Sequence, residues 1–89
     1  MASERTISVR VVDTEHGVRE YENVKMVHVK SRYYNILIME GYTSSIGEVD
    51  GEVTITSASE QKHFSQVKGF YLHKNNCFHL LIREGLHVE

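Results

Sequence analysis

The 89-residue sequence contains no proline. Any strand edge must therefore be protected by charge or by bulges rather than by a residue unable to donate to a neighbour. There is a single cysteine, Cys77, which excludes an internal disulfide framework and favours a reducing, cytoplasmic setting. No apolar run approaches the ~18 residues of a membrane-spanning helix. The opening "MASERTISVRVVD" has no continuous apolar stretch of the kind found in a signal peptide. The formal net charge is only −2, which gives no general reason to expect nucleic acid or an anionic membrane as partner. No glycine-rich phosphate loop is present; the glycines stand singly at turns, and no cofactor is implied.

The chain length is that of one domain, residues 1–89, with a single small core. Its dominant period is two. "TISVRVVD" places Ile7, Val9 and Val11 on one face. A turn follows at 14–17, with Gly17 able to take positive φ. "VREYENV" reads as an exposed edge strand with Val18, Glu20 and Glu22 on one side and Arg19 and Tyr21 on the other. "KMVHVKSR" reads as a third strand, with Val27 and Val29 in register. "YNILIMEG" is apolar without alternation, which predicts a strand covered on both faces. Asp50-Gly51 marks a hairpin or bulge before Val53 and Ile55 resume the alternation, and "SASEQ" is a polar turn.

"KHFSQVKGFYLHKNNCFHLLIRE" predicts a closing hairpin. A three-residue loop, Lys74-Asn75-Asn76, pairs Leu72 with Phe78 and Phe70 with Leu80 on one face, leaving Tyr71, His73, Cys77 and His79 on the other. A two-residue Asn75-Asn76 loop pairs Leu72 with His79 and mixes the faces, a less attractive register. Gly69 interrupts the pattern and marks a bulge or kink. These segments predict an all-β fold, a small seven-stranded antiparallel β-sandwich or barrel.

The order of elements resembles the N-terminal β-sandwich domain of the epsilon subunit of F-type ATP synthases. "ISVRVVDTEHGVREYENV" is similar to that family's opening "V-x-V-V-T-x-x-G" strand and acidic second strand. "YNILIMEGYTSSIGEVDGEVTI" stands where the family has a "GxxGVLPGHAPL" loop and a strand ending "xPGxLxI". In the closing segment Phe64, Val67, Gly69, Phe70, Leu72, Asn76 and Leu81 fall near the family pattern. The resemblance covers residues 6–84, by pattern more than identity. The family's Pro-Gly-His-Ala-Pro loop is replaced by "EGYTSS", and its C-terminal helical hairpin, which contacts the catalytic ring, has no counterpart. The resemblance implies a stand-alone sandwich domain acting as a non-catalytic protein-interaction or structural module.

The residues offer several candidate sites. Tyr33, Tyr34 and Tyr42 flank the most apolar strand as an aromatic patch suited to a protein partner or to self-association. Lys30, Arg32, Tyr33 and Tyr34 mix basic and aromatic groups, the pattern of an alternative single-stranded nucleic-acid binder. One such cluster in a net acidic chain disfavours that alternative. His73, Cys77 and His79 are weak zinc candidates, because a structural site normally takes four ligands. His16, His28, His63 and His87 are isolated. Cys77 beside a tight hairpin, without an oxyanion hole, gives no catalytic set. Glu40, Glu48, Asp50 and Glu52 read as a solvated acidic cluster, since no calcium-loop pattern accompanies them.

Overall fold

The alternation resolves into six strands in a computed structural model, which describes residues 6–15 and 17–88, with side chains through Arg83. The strands are β1 (Ile7–Asp13), β2 (Gly17–Ser31), β3 (Asn35–Ile38), β4 (Ser45–Ser57), β5 (Gln61–Lys74) and β6 (Cys77–Val88). His16 and the side chain of His87 lie outside the described residues. The fold is all-β. The hydrogen-bonded order is β1-β6-β5-β4-β2-β3, and β1 also pairs with β2. Five strands thus close into a barrel, and β3 hangs on β2 outside the ring.

Six strands replace the seven expected because the second and third segments are one. Asn23 takes φ 58°, and the ladders of β2 with both β1 and β4 slip near Val24. This bulge lets a single strand bend from one partner to the next. Its N-terminal half pairs with β1 and its C-terminal half with β4 and β3, so "VREYENV" is barrel wall. Most pairings are antiparallel, but β1 and β6 run parallel, Ser8 opposite Cys77 through Asp13 opposite Ile82.

Inward side chains alternate as valine, isoleucine and aromatic residues: Val9 and Val11, Val27 and Val29, Val53 and Ile55, Phe78 and Leu80 are all buried. Each large aliphatic or aromatic side chain so buried contributes about 1.5–3 kcal/mol. Asp50-Gly51 sits within the continuous strand β4, at a register slip before Val53. A Cβ on Gly51 would stand 2.1 Å from the Lys30 carbonyl oxygen, so the missing side chain is what lets β2 approach. The turn at Ser57 closes on Glu60 through a backbone bond of 2.9 Å.

Strand β3 departs from the doubly covered strand expected of it. Ile38 is buried, but Leu37 and Met39 are exposed. β3 pairs edge to edge with β2; Ile36 and Ile38 turn to the core, while Leu37 and Met39 face solvent.

The closing hairpin takes the two-residue turn. Asn75 and Asn76 have φ 51° and 59°, the doubly left-handed conformation that matches strand twist. Lys74 then pairs with Cys77, His73 with Phe78, Leu72 with His79 and Phe70 with Leu81. The interior face is Tyr71, His73, Phe78, Leu80 and Ile82. The pairing of Leu72 with Phe78 is corrected accordingly, and Phe70 and Leu72 face outward.

Candidate protein-docking surface

The hairpin register decides what the barrel shows to solvent. With Tyr71 and His73 inward, strand alternation sends Phe70 and Leu72 outward. With Phe78, Leu80 and Ile82 inward, Cys77, His79 and Leu81 go out. Cross-strand register then assembles two rows. One runs Ile46 (β4), Leu72 (β5), His79 (β6), Arg10 (β1), Glu20 (β2). The next runs Glu48, Phe70, Leu81, Val12, Val18 over the same strands.

The result is a continuous apolar stripe across five strands, from Ile46 and Leu72 to Phe70, Leu81, Val12 and Val18. Ile46 is 72% exposed, the highest among the large hydrophobic residues of the described chain. Phe70, Leu72, Leu81 and Val18 are each at least 40% exposed. A contiguous apolar patch on the surface of a small domain marks a contact site more often than a scatter of single residues does.

Two of the cations beside the stripe have contacts within the chain. Arg10 pairs with Glu20 at 3.3 Å, and the Arg83 guanidinium stands 5.7 Å over the Phe70 ring. Beside the stripe lies a shallow concavity of about 240 Å³, lined in part by Ser8, Arg10, Glu22, Cys77 and His79. Cys77 is a free, exposed thiol. Among the described residues none hydrogen-bonds that thiol.

The tyrosines separate. Tyr33 is 62% exposed, with the Arg32 guanidinium 5.7 Å over its ring. Tyr34 and Tyr42 are half-buried packing residues against the core, not the free anchors expected of an aromatic contact patch. Tyr34 donates its hydroxyl hydrogen to the Glu48 carbonyl and meets Tyr71 edge-on at 6.3 Å. Burial, with the nearby Tyr71 and Glu48, pushes its pKa up to about 12.

The basic-aromatic cluster is likewise divided. Lys30 is exposed on β2, Arg32 pairs with Asp50 at 3.5 Å, and the Tyr34 ring is turned inward. A stacking platform needs several exposed faces with free cations beside them, and this segment presents one such face.

His73, Cys77 and His79 do not meet. His73 is inside the barrel with no exposed surface, whereas Cys77 and His79 project from the outer wall. The cause is the two-residue turn, which places Cys77 opposite Lys74 and His79 opposite Leu72. Among the described residues no three histidine, cysteine or carboxylate groups gather as a metal site. The acids are also spread out. Glu48, Asp50 and Glu52 alternate along the outer wall of β4, Glu52 pairing with His63 at 3.0 Å, and Glu40 lies in the β3–β4 loop.

The stripe was missed in the sequence because its residues look like core. The available signal was Asn75-Asn76 itself: two adjacent residues that both tolerate the left-handed conformation suit a two-residue turn.

No protein-family model matches the chain, and no curated protein matches it in sequence. Solved structures match it in shape, among them two from mitochondrial ATP synthases. A chain of the Euglena gracilis mitochondrial ATP synthase, in the OSCP/F1/c-ring assembly in rotational state 1, superposes with a TM-score of 0.78 at 9% identity; the match covers 98% of this chain and 56% of that one. A chain of the Tetrahymena thermophila mitochondrial ATP synthase central stalk and c-ring gives a TM-score of 0.76 at 14% identity, covering 96% and 69%. The chain thus spans little more than half the length of the first and about two thirds of the second. At these identities the likeness is one of fold.

Proposed function

We propose that this chain is a non-catalytic docking domain that joins a multi-subunit protein assembly through the outer wall of β4, β5, β6, β1 and β2. The observation that carries the reading is the apolar stripe of Ile46, Leu72, Phe70, Leu81, Val12 and Val18. Its occupant is a different protein subunit with an apolar contact strip of its own. The neighbouring ion pair and the Arg83–Phe70 contact support this choice. A partner can cover the Arg10–Glu20 pair without leaving either charge alone, and the Glu48 carboxylate in the stripe calls for a cation on the partner.

The likeness to chains from ATP synthase stalk assemblies supports a structural role and an epsilon-like ancestry, in which this chain is the sandwich domain. The lone exposed thiol suits a reducing compartment such as the cytoplasm.

The test is affinity capture of the tagged chain from its own cells, compared with an Ile46→Glu, Leu72→Asp variant. A stoichiometric partner subunit retained by the native chain and lost by the variant is the expected result, with the circular dichroism spectrum unchanged. Equal retention by both, or stoichiometric self-association in place of a different subunit, overturns the assignment.

A further inference from the structure

His73 is the one buried polar residue among the described core. Neither Nδ1 nor Nε2 has a hydrogen-bond partner among the protein's described groups. Buried polar side chains normally have one, and an exception calls for a physical account. It sits beside the β5–β6 turn, paired with Ser45 of β4 on one side and Phe78 of β6 on the other.

One loop covers it. Residues 39–44, between β3 and β4, lay Tyr42 edge-on against the His73 ring, with centroids 5.9 Å apart and planes at 77°. Two hydrogen bonds hold the loop's shape and place. The Tyr42 N–H donates to the Met39 carbonyl at 3.0 Å, and the Gly41 N–H donates to Asn76 Oδ1 at 2.9 Å. The second bond ties the loop to the hairpin turn. Gly41 has φ 83°, a conformation glycine adopts freely.

The titratable groups around His73 are few. Tyr42 faces it from the loop, which also carries the carboxylate Glu40. Tyr71 shares its face of β5, with its hydroxyl occupied by Ser45 Oγ at 3.0 Å. Lys74 follows it on the outer wall. From β6 come the exposed Cys77 and the imidazole of His79. Burial lowers the His73 pKa first, and the nearby His79 lowers it further. An imidazolium in this place would be a desolvated cation without an acceptor for either N–H, which an intact loop cannot accommodate.

We propose that His73 makes the 39–44 loop an acid-opened latch: closed over a neutral imidazole, and released when the ring takes up a proton and must reach water. The sign follows from linkage. In the open state the ring has its ordinary value of about 6.5, and in the closed state a lower one. The open state therefore binds the extra proton between those values. Closure is at full strength above about pH 6.5 and weakens as pH falls below it. Opening would expose Tyr42 and the barrel end around the Asn75-Asn76 turn, next to the Ile46 and Leu72 end of the apolar stripe. The latch does not depend on the docking reading.

Amide exchange and ring titration by NMR on the full chain test this. After correction for intrinsic rates, the opening constants at Gly41 and Tyr42 are expected to rise by up to about tenfold per pH unit below 6.5. Core amides such as Val11 and Leu80 should stay flat. The His73 ring should titrate below 6.5. His73→Phe should abolish the pH dependence. Asn76→Ala, which leaves the imidazole in place, should raise loop opening at every pH while keeping the slope. A pH-independent loop in the native chain, a His73 ring that titrates at or above 6.5, or an unchanged slope in His73→Phe overturns the proposal. Should His73→Phe not fold, the native ring titration and the Asn76→Ala slope decide between the same two outcomes.

Discussion

Tyr34 and Glu48 are joined across the barrel wall: the phenolic hydroxyl donates to the Glu48 main-chain carbonyl, fixing the segment after β2 to the first half of β4. Tyr34→Phe keeps the ring and its edge contact with Tyr71 but leaves that carbonyl without its side-chain donor. The expected loss is about 1 kcal/mol, read from urea denaturation.

The same phenol has its pKa raised to about 12 from an ordinary 10, so the fold favours its neutral form. The associated stability is present below pH 10 and is lost as pH rises toward 12. Alkaline titration followed at 295 nm should show a tyrosine step displaced well above pH 10 in the folded protein. That late step should be missing in Tyr34→Phe.

Gly69 approaches β6 so closely that a Cβ there would stand 1.8 Å from the Leu81 carbonyl oxygen. The bulge expected at this glycine is present as a slip between Lys68 and Gly69. Backbone cannot yield as a side-chain tip can, so Gly69→Ala should destabilise the barrel by about 3 kcal/mol. Thermal melting of the variant against the native chain measures it.

Gln66 has φ 54° at the bulge where β5 slips past β6. A side chain in the left-handed region costs about 1–2 kcal/mol, while glycine brings an unfolded-state entropy penalty of about 0.5–1 kcal/mol. Gln66→Gly should therefore leave stability unchanged or raise it by roughly 0.5–1 kcal/mol. A clear loss in a denaturation midpoint would show that the glutamine side chain makes a compensating contact.

Strand alternation made the inward faces of β1, of Val27 and Val29, and of Val53 and Ile55 legible, because polar neighbours marked the other side. The hairpin was harder. Phe70, Leu72 and Leu81 alternate with Tyr71, Leu80 and Ile82, so both faces are apolar and pairing like with like chooses the wrong register. The solvent-facing stripe was hidden for that reason. Continuous apolar character also misplaced β3, since Leu37 and Met39 have the composition of a covered strand but hang outside the ring. The candidate tyrosines were read from their neighbours in sequence, whereas the inward turn of Tyr34 and Tyr42 is set by residues on β4 and β5. The parallel pairing of β1 with β6 joins segments at opposite ends of the described chain, beyond the reach of any local pattern.

That parallel pairing also governs the time course of folding. The ring closes only when Ser8 meets Cys77, across roughly 70 residues of intervening chain, the kind of non-local contact that places small β-barrels in the ms–s range. Before β6 docks, the β1–β2 and β4–β5 ladders can form, but β1 then has a bare edge along which its last neighbour has yet to lie. Until that seam is sealed, the nascent protein is an open sheet with an apolar lining, and this interval is when a chaperone or a second nascent copy would most readily engage it.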